Sequence, residues 1–259
     1  MIADLHNHTY RCGHAEGSAE EYILKAVELG IDIFGFSDHA PMDFDPEYRM
    51  DFSEMEAYES EIRSLARRYS DKIDIRLGYE VDWLPGHMDE RVLNADVDYL
   101  IGSVHFLDTW GFDNPEFIGE YARRDADEIW ESYFSAIKEM AASGLFDIVG
   151  HLDLIKIFEY YPKKPIESYA GEALDEIAAY SMAIEINSAG LRKPVKEQYP
   201  SSSLLKMAFE RDIPITFASD AHKPEDVGYE MDKMVRLARS AGYTHAVSFK
   251  NKKMILHNF

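Results

Sequence analysis

What most limits the fold of this 259-residue chain is where its metal-binding side chains fall. Seven of the ten histidines, with Glu80 and Asp220, form short clusters: His6-Asn-His8, His14, Asp38-His39, Glu80, His105, His151 and Asp220-Ala-His222. His6, His39, Glu80, His105, His151 and Asp220 each stand at or just beyond the C-terminal end of a different apolar, strand-like run. The runs are Ile2–Leu5, Ile33–Ser37, Ile75–Val81, Val97–Val104, Phe146–Gly150, Ala183–Asn187 and Ile215–Ser219. Strand ends converge on one point only where a sheet closes or nearly closes, and in (β/α) barrels the active site sits on that rim. Seven runs predict an α/β barrel of about seven strands, one domain over residues 1–259, with an open doubly wound sheet as the alternative.

Helical periodicity fills the gaps between the runs. Glu20–Leu29, Ser53–Tyr69, Asp125–Ala142, Ile166–Tyr180, Ser201–Arg211 and Glu230–Ala241 carry apolar residues at three- and four-residue spacing with charges between them. Ser18 with Glu21, and Ser53 with Glu56, have the capping-box form, while Gly30, Gly144 and Gly242 sit where helices should stop. Phe106–Ala122, rich in aromatics and acids, is the one long irregular stretch.

Composition narrows the class of protein. No window has the roughly 18 apolar residues of a transmembrane helix, and Asp4 and His6 interrupt the first apolar stretch, so neither a membrane span nor a secretory signal is expected. The single cysteine, Cys12, rules out an internal disulfide and suits a reducing cytoplasm, where it is expected to be a small buried residue. A net charge of −21 argues against non-specific contact with nucleic acid or anionic membrane.

Imidazole and carboxylate are the usual ligands of Zn²⁺, Mn²⁺ and Fe²⁺, and one ion takes about three or four. Nine candidates therefore suit several ions, an arrangement commonly used to hydrolyse phosphate esters or amides. His6 and His8, two apart at a strand end, can turn to one face and share an ion; Asp220 and His222 repeat that logic. Glu80, an acid at the mouth of an apolar strand, is costly unless paired or metal-bound, and its two oxygens can bridge two ions.

Asp4-Leu-His-Asn-His-Thr9, Ser37-Asp-His39, Glu80, Gly102-Ser-Val-His105, Gly150-His-Leu-Asp153 and Ser219-Asp-Ala-His222 together resemble the polymerase-and-histidinol-phosphatase (PHP) superfamily. The segments Gly102–Phe106 with Trp110-Gly-Phe-Asp113, and Glu185-Ile-Asn187 with Gly190-Leu-Arg-Lys-Pro194, resemble its monofunctional histidinol-phosphate phosphatases. The resemblance implies a distorted (β/α)7 barrel and three divalent ions of zinc, manganese or iron. It implies that His6, His8, Glu80 and Asp220 hold the first ion, that Glu80, His105 and His151 hold the second, and that His14, His39 and His222 hold the third. Asp38 would orient a ligating imidazole. His87, His245 and His257 have no role in that scheme.

The implied reaction is hydrolysis of a phosphomonoester, L-histidinol phosphate to L-histidinol and inorganic phosphate in histidine biosynthesis, by a metal-activated hydroxide with Glu80 and Asp220 at its centre. Arg192 is the first candidate for the phosphate, and Lys156, at a position where relatives often carry arginine, is the second; lysine keeps the charge but loses the bidentate fork. Trp110 and Asp113 offer a stacking surface and a carboxylate for a cationic leaving group. Two other hydrolase readings compete: a PHP exonuclease or nucleotide phosphoesterase acting on short oligonucleotides, and an amidohydrolase, whose barrels also open with His-x-His. A non-enzymatic metal-binding module is disfavoured because none of the nine ligands is missing. Oligomeric state stays open at this level.

Overall fold

A computed structural model describes residues 2–259. Its strands are β1 (Ala3–Asp4), β2 (Ile33–His39), β3 (Asp74–Asp82), β4 (Tyr99–Ser103), β5 (Phe106–Leu107), β6 (Trp110–Gly111), β7 (Ile148–Val149), β8 (Ala183–Asn187), β9 (Ile215–Ala218), β10 (His245–Lys250) and β11 (Lys253–Asn258). The helices are α1 (Ala19–Glu28), α2 (Met55–Arg68), α3 (Glu90–Leu93), α4 (Ala126–Ala142), α5 (Glu167–Ala179), α6 (Ser202–Phe209) and α7 (Met231–Ala241). Seven strands form one parallel sheet in the order β1-β2-β3-β4-β7-β8-β9. Single hydrogen bonds close the seam between β9 and β1: Leu5 N donates to Phe217 O at 3.0 Å, Asp220 N to His6 O at 2.8 Å and His8 N to Ala221 O at 3.0 Å. The expected seven-stranded, nearly closed barrel is therefore the observed one.

Strand alternation divides each strand between two environments. On β3, Leu77, Tyr79 and Val81 join the large cluster that packs against the helices, and Gly78, Glu80 and Asp82 take the other face. The lower lumen is apolar: Ala3, Leu5, Ile33, Tyr99, Ile101, Ile148 and Ala183 cluster with Val247 and Phe249 of β10. Tyr99 crosses this lumen, and its hydroxyl donates to Leu5 O at 2.5 Å. Glycine makes room for it, since a Cβ at Gly35 would lie 2.1 Å from the Tyr99 hydroxyl and one at Gly78 would lie 2.6 Å from its ring.

Three sequence expectations need correction. Ser18 and Glu21 do form a capping box on α1, but Ser53 and Glu56 do not. Asp51 instead caps a 3-10 turn over Phe52–Glu54, and α2 starts at Met55. The stretch from Phe106 carries the β5–β6 hairpin and a 3-10 helix over Pro115–Arg123. The β10–β11 hairpin was not expected. Its turn residues Asn251 and Lys252 have φ of 49° and 61°, the two positive values of a hairpin turn that usually advertises itself by Asn-Gly. Lysine in the glycine position hid it. Among the described residues no helix is long and apolar enough to cross a membrane.

Candidate metal centre

The upper lumen is polar because the same alternation that buries leucine below places acids and imidazoles above. Donor atoms about 2.0–2.2 Å from one ion stand roughly 3–3.6 Å from one another in tetrahedral or octahedral packing. The centre shows that spacing. Glu80 Oε2 lies 3.2 Å from His6 Nε2, 3.7 Å from His8 Nε2 and 3.0 Å from His39 Nδ1. Its other oxygen, Oε1, lies 3.0 Å from His151 Nε2 and 3.6 Å from His105 Nε2. Asp220 Oδ1 is 3.1 Å from His8 Nε2 and 3.9 Å from His6 Nε2. Among the described residues, four groups have ligand atoms mutually within 4.8 Å: three of imidazole and carboxylate alone (His6, His8 and Glu80; Glu80, His105 and His151; His14, His39 and His222), and a fourth that joins Cys12 to His8 and His222. Glu80, two residues before the end of β3, faces two groups with two different oxygens. His6 Nε2 is buried without a hydrogen-bond partner, and unprotonated it presents a lone pair that a cation would satisfy. The residues fit divalent metal.

Behind the ligands stands a set of orienting groups. His6 Nδ1 contacts Glu185 Oε1 at 2.7 Å, His105 Nδ1 contacts Asp82 Oδ1 at 2.6 Å, and Asp38 Oδ1 is 3.5 Å from His8 Nδ1. Each fixes a ring so that its other nitrogen meets the centre. Glu185 also accepts from His151 N at 3.0 Å and Asn187 Nδ2 at 3.1 Å, and Asn187 Nδ2 reaches Asp220 Oδ2 at 3.2 Å. Arg49 donates to Asp82, closing a chain from guanidinium to carboxylate to imidazole. Sequence reasoning named Asp38 for this kind of role and missed Asp82, Arg49 and Glu185 in it. Asp82 and Glu185 had a signal: each lies on the lumen face of its strand, two residues from another polar lumen residue, where an unpaired acid would be expelled.

Charge coupling is strong without metal. Burial opposes the charged form of His105, but Asp82 and Glu80 outweigh it and lift its pKa to about 10. Burial likewise opposes the charge on His6, yet Glu185, Glu80 and Asp220 hold its pKa well above the usual value. Glu80 runs the other way: despite burial, His6, His39 and His105 keep it well below the ordinary carboxylate range. His39 falls to about 4, chiefly through burial. Burial pushes the Cys12 thiol up, and its sulfur donates to Thr9 O at 3.2 Å. Cys12 is buried, as expected, although it sits near His8 and His222.

A cavity of about 600 Å³ opens above the centre, with His14, His39, Glu80, His105, His151 and His222 in its floor. Arg192 and Asp113 line it. Arg192 Nη2 donates to Ser219 O at 2.8 Å and Asp220 O at 3.0 Å, while its Nη1 has no protein partner. Asp113 has neither a hydrogen bond nor an ion pair among the described residues, and burial raises its pKa against the pull of His105, His151 and Lys193. Lys156 and Trp110 are not part of the wall. Lys156 is fully buried and spends its ammonium on Asp153 at 2.9 Å, Glu197 at 2.8 Å and Gln198 O at 2.8 Å. Trp110 is packed edge-on against Tyr121 and Phe112, with the Arg124 guanidinium 4.5 Å from its ring centre. Phe106, Phe117 and Tyr48 supply the aromatic wall instead. His87 lies apart, paired with Asp43 at 2.8 Å, and His245 and His257 belong to the terminal hairpin.

Comparison with known proteins agrees with this geometry. The family model described as PHP domain matches residues 4–189. A protein of Deinococcus radiodurans named "Probable histidinol-phosphatase" is 42% identical over 98% of each chain. The "Histidinol-phosphatase" of Bacillus subtilis is 31% identical, covering 87% of this chain and 95% of its own. The crystal structure of histidinol phosphate phosphatase from Lactococcus lactis, complexed with zinc, L-histidinol and phosphate, has the same fold, with a TM-score of 0.80 at 22% identity over 98% of this chain and all of that one.

Proposed function

This chain belongs to the PHP family, and from that premise we propose that it is a metal-dependent phosphatase that hydrolyses L-histidinol phosphate to L-histidinol and inorganic phosphate. The observation that carries the reading is the convergence of seven histidines, Glu80 and Asp220 under a cavity whose wall also holds an unpaired carboxylate. One domain over residues 1–259 does this work in the cytoplasm, as a step of histidine biosynthesis. Three divalent ions fit the three ligand groups, with Glu80 shared between the first two and Asp220 completing the first. When bound, they would supply Lewis acidity toward the phosphoryl oxygens and lower the pKa of an attacking water.

The chain's own residues prepare that chemistry. Glu185, Asp82 and Asp38 hold the imidazoles of His6, His105 and His8 in one orientation, so that the ligand cage needs no rearrangement when substrate arrives. Arg192 is pinned to the carbonyls on either side of the Ser219–Asp220 bond, which leaves Nη1 for a phosphoryl oxygen. Asp113, which lacks a protein cation, is the counter-ion for the amine or imidazolium of the leaving group. Phe106 and Phe117 give that group an apolar flank and restrict its exposure to water.

The test is phosphate release from a panel of histidinol phosphate, simple phosphomonoesters and short oligonucleotides, read on one metal-replete preparation. The proposal expects histidinol phosphate to lead by at least about tenfold in kcat/KM, or roughly 1.4 kcal/mol in transition-state binding. Oligonucleotides turned over faster than every monoester would replace it with the exonuclease reading. Asp113→Asn should remove most of the preference while sparing simple monoesters.

A further inference from the structure

Four cationic side chains line the cavity: Arg49, Arg192, Lys193 and Lys223. Two are committed to the protein. Arg49 is bound to Asp82 and Asp45. Arg192 is bound to Ser219 O, Asp220 O and Asp226. Lys193 and Lys223 make neither a side-chain hydrogen bond nor an ion pair among the described residues. Both are exposed, so water solvates their ammonium groups in the free protein, and no carboxylate of the chain competes with an anionic ligand for them.

Lys193 has two further distinctions. Its backbone is braced on both sides, because Lys193 N donates to Gly190 O at 3.1 Å and Lys196 N donates to Lys193 O at 3.1 Å. The brace depends on glycine: a Cβ at Gly190 would lie 2.0 Å from Glu197 O, so the turn over Ala189–Arg192 can press against the strand-like segment at Tyr199. Pro194 follows and keeps Lys193 extended, with ψ at 171°. The ammonium is thus presented from a fixed base. Its charge also acts on two other groups that line the cavity, His14 of the third ligand group and Asp113.

We infer that Lys193 is a phosphate-contacting residue of this site, donating from its ammonium to a non-bridging phosphoryl oxygen on the side of the third ligand group. The inference rests on the phosphatase reading but not on the identity of the leaving group. Arg192 and Lys193 then play different parts. Arg192 is held by the Asp220 loop and offers only its Nη1, whereas Lys193 brings a whole uncompensated charge to the dianion. Lys193 and Asp113, each unpaired and on the same cavity, form a two-ended charge template. A monoester that carries both a phosphate and a cation satisfies both ends, while a plain alkyl phosphate satisfies one.

Inorganic phosphate itself is the probe. Calorimetric titration of phosphate into the metal-loaded protein, and phosphate inhibition of p-nitrophenyl phosphate turnover, should both weaken by about tenfold or more in Lys193→Ala, the range for a charged hydrogen bond. Lys193→Gln should behave alike, and Lys193→Arg should recover most of the affinity. Metal content and Tm should stay at the wild-type values in all three, which a purely structural lysine would not explain together with the lost phosphate. Phosphate affinity within twofold of wild type in Lys193→Ala overturns the inference, as does a loss confined to Lys223→Ala. Failure of wild type to bind phosphate at all overturns the phosphatase reading with it.

Discussion

The two ends of one barrel obey the same strand alternation and are built of opposite materials. At the N-terminal end the lumen is dry: Ile33, Tyr99, Ile101 and Ile148 meet Val247 and Phe249 of the β10–β11 hairpin, which closes the barrel like a stopper. At the C-terminal end the same faces carry His39, Glu80, Asp82 and Glu185, and the segments just beyond β1 and β9 add His6 and Asp220. The boundary is narrow. On β3, Gly78 lies under the Tyr99 ring, and Glu80, two residues on, meets His6, His39 and His151. The lower end gains its stability from buried area. The upper end consists of buried charges that offset one another only while their partners remain. Stability and chemistry are therefore separable by position along the strand.

The sharpest way to break that division is Glu80→Gln. It replaces one of the two oxygens by which this side chain faces two ligand groups, and turnover should fall by on the order of 10³, the upper range for loss of one preorganised electrostatic contact. Tm of the metal-free protein should fall by less than it does when the lower lumen is emptied, because the imidazoles that lose a buried partner can shed their protons. Turnover retained at a lowered Tm would mean that the two ends are not separable. Phe249→Ala is the converse. Emptying that ring from the stopper should cost about 3–5 kcal/mol of stability and on the order of 10 °C in Tm. Activity per folded molecule, measured well below Tm, should hold; a collapse of kcat with Tm intact would contradict the assignment.

Asp82→Asn should act more subtly. It leaves His105 in place and weakens the group that orients it, so metal affinity should drop by about 10–100-fold. A competition titration with a chelating dye reads this, and unchanged affinity would reduce Asp82 to a structural partner of Arg49. A smaller effect concerns pH. In the metal-free protein His105 holds its proton up to about pH 10, against 6.5 for the free side chain. A raised pKa contributes stability that is complete below 6.5 and is lost as pH rises toward 10. Metal-free Tm should therefore decline across that interval. Bound metal replaces the proton, so the loaded protein should lack the slope. Equal slopes in the two forms would show that His105 is not a ligand.

Much of this was legible in the residues. Ligand-bearing strands announce themselves because a histidine or acid after an apolar run has few structural explanations, and six such runs cannot meet without closing the sheet. The partners were harder. Asp82 and Glu185 lie within apolar strand-like runs or at their ends, where they read as interruptions of the pattern rather than as supports for rings just after β1 and β4. Lys156 and Trp110 were misplaced for a common reason: charge and aromaticity say what a side chain could bind, not which way the chain turns it. Lys156 meets Asp153 three residues earlier, and Trp110 faces Tyr121. Lys193, beside Arg192 in the same motif, was passed over because a guanidinium is the better phosphate fork in general. Only the three-dimensional record of which cations are already spent distinguishes them.

The most direct test of the account is activity against metal equivalents. Metal-free protein, titrated with zinc or manganese, should recover histidinol phosphate hydrolysis in proportion to loading and reach its plateau near three equivalents per chain, as three ligand groups, two of them sharing Glu80, require. A plateau at one equivalent, or turnover that persists without metal, would contradict it.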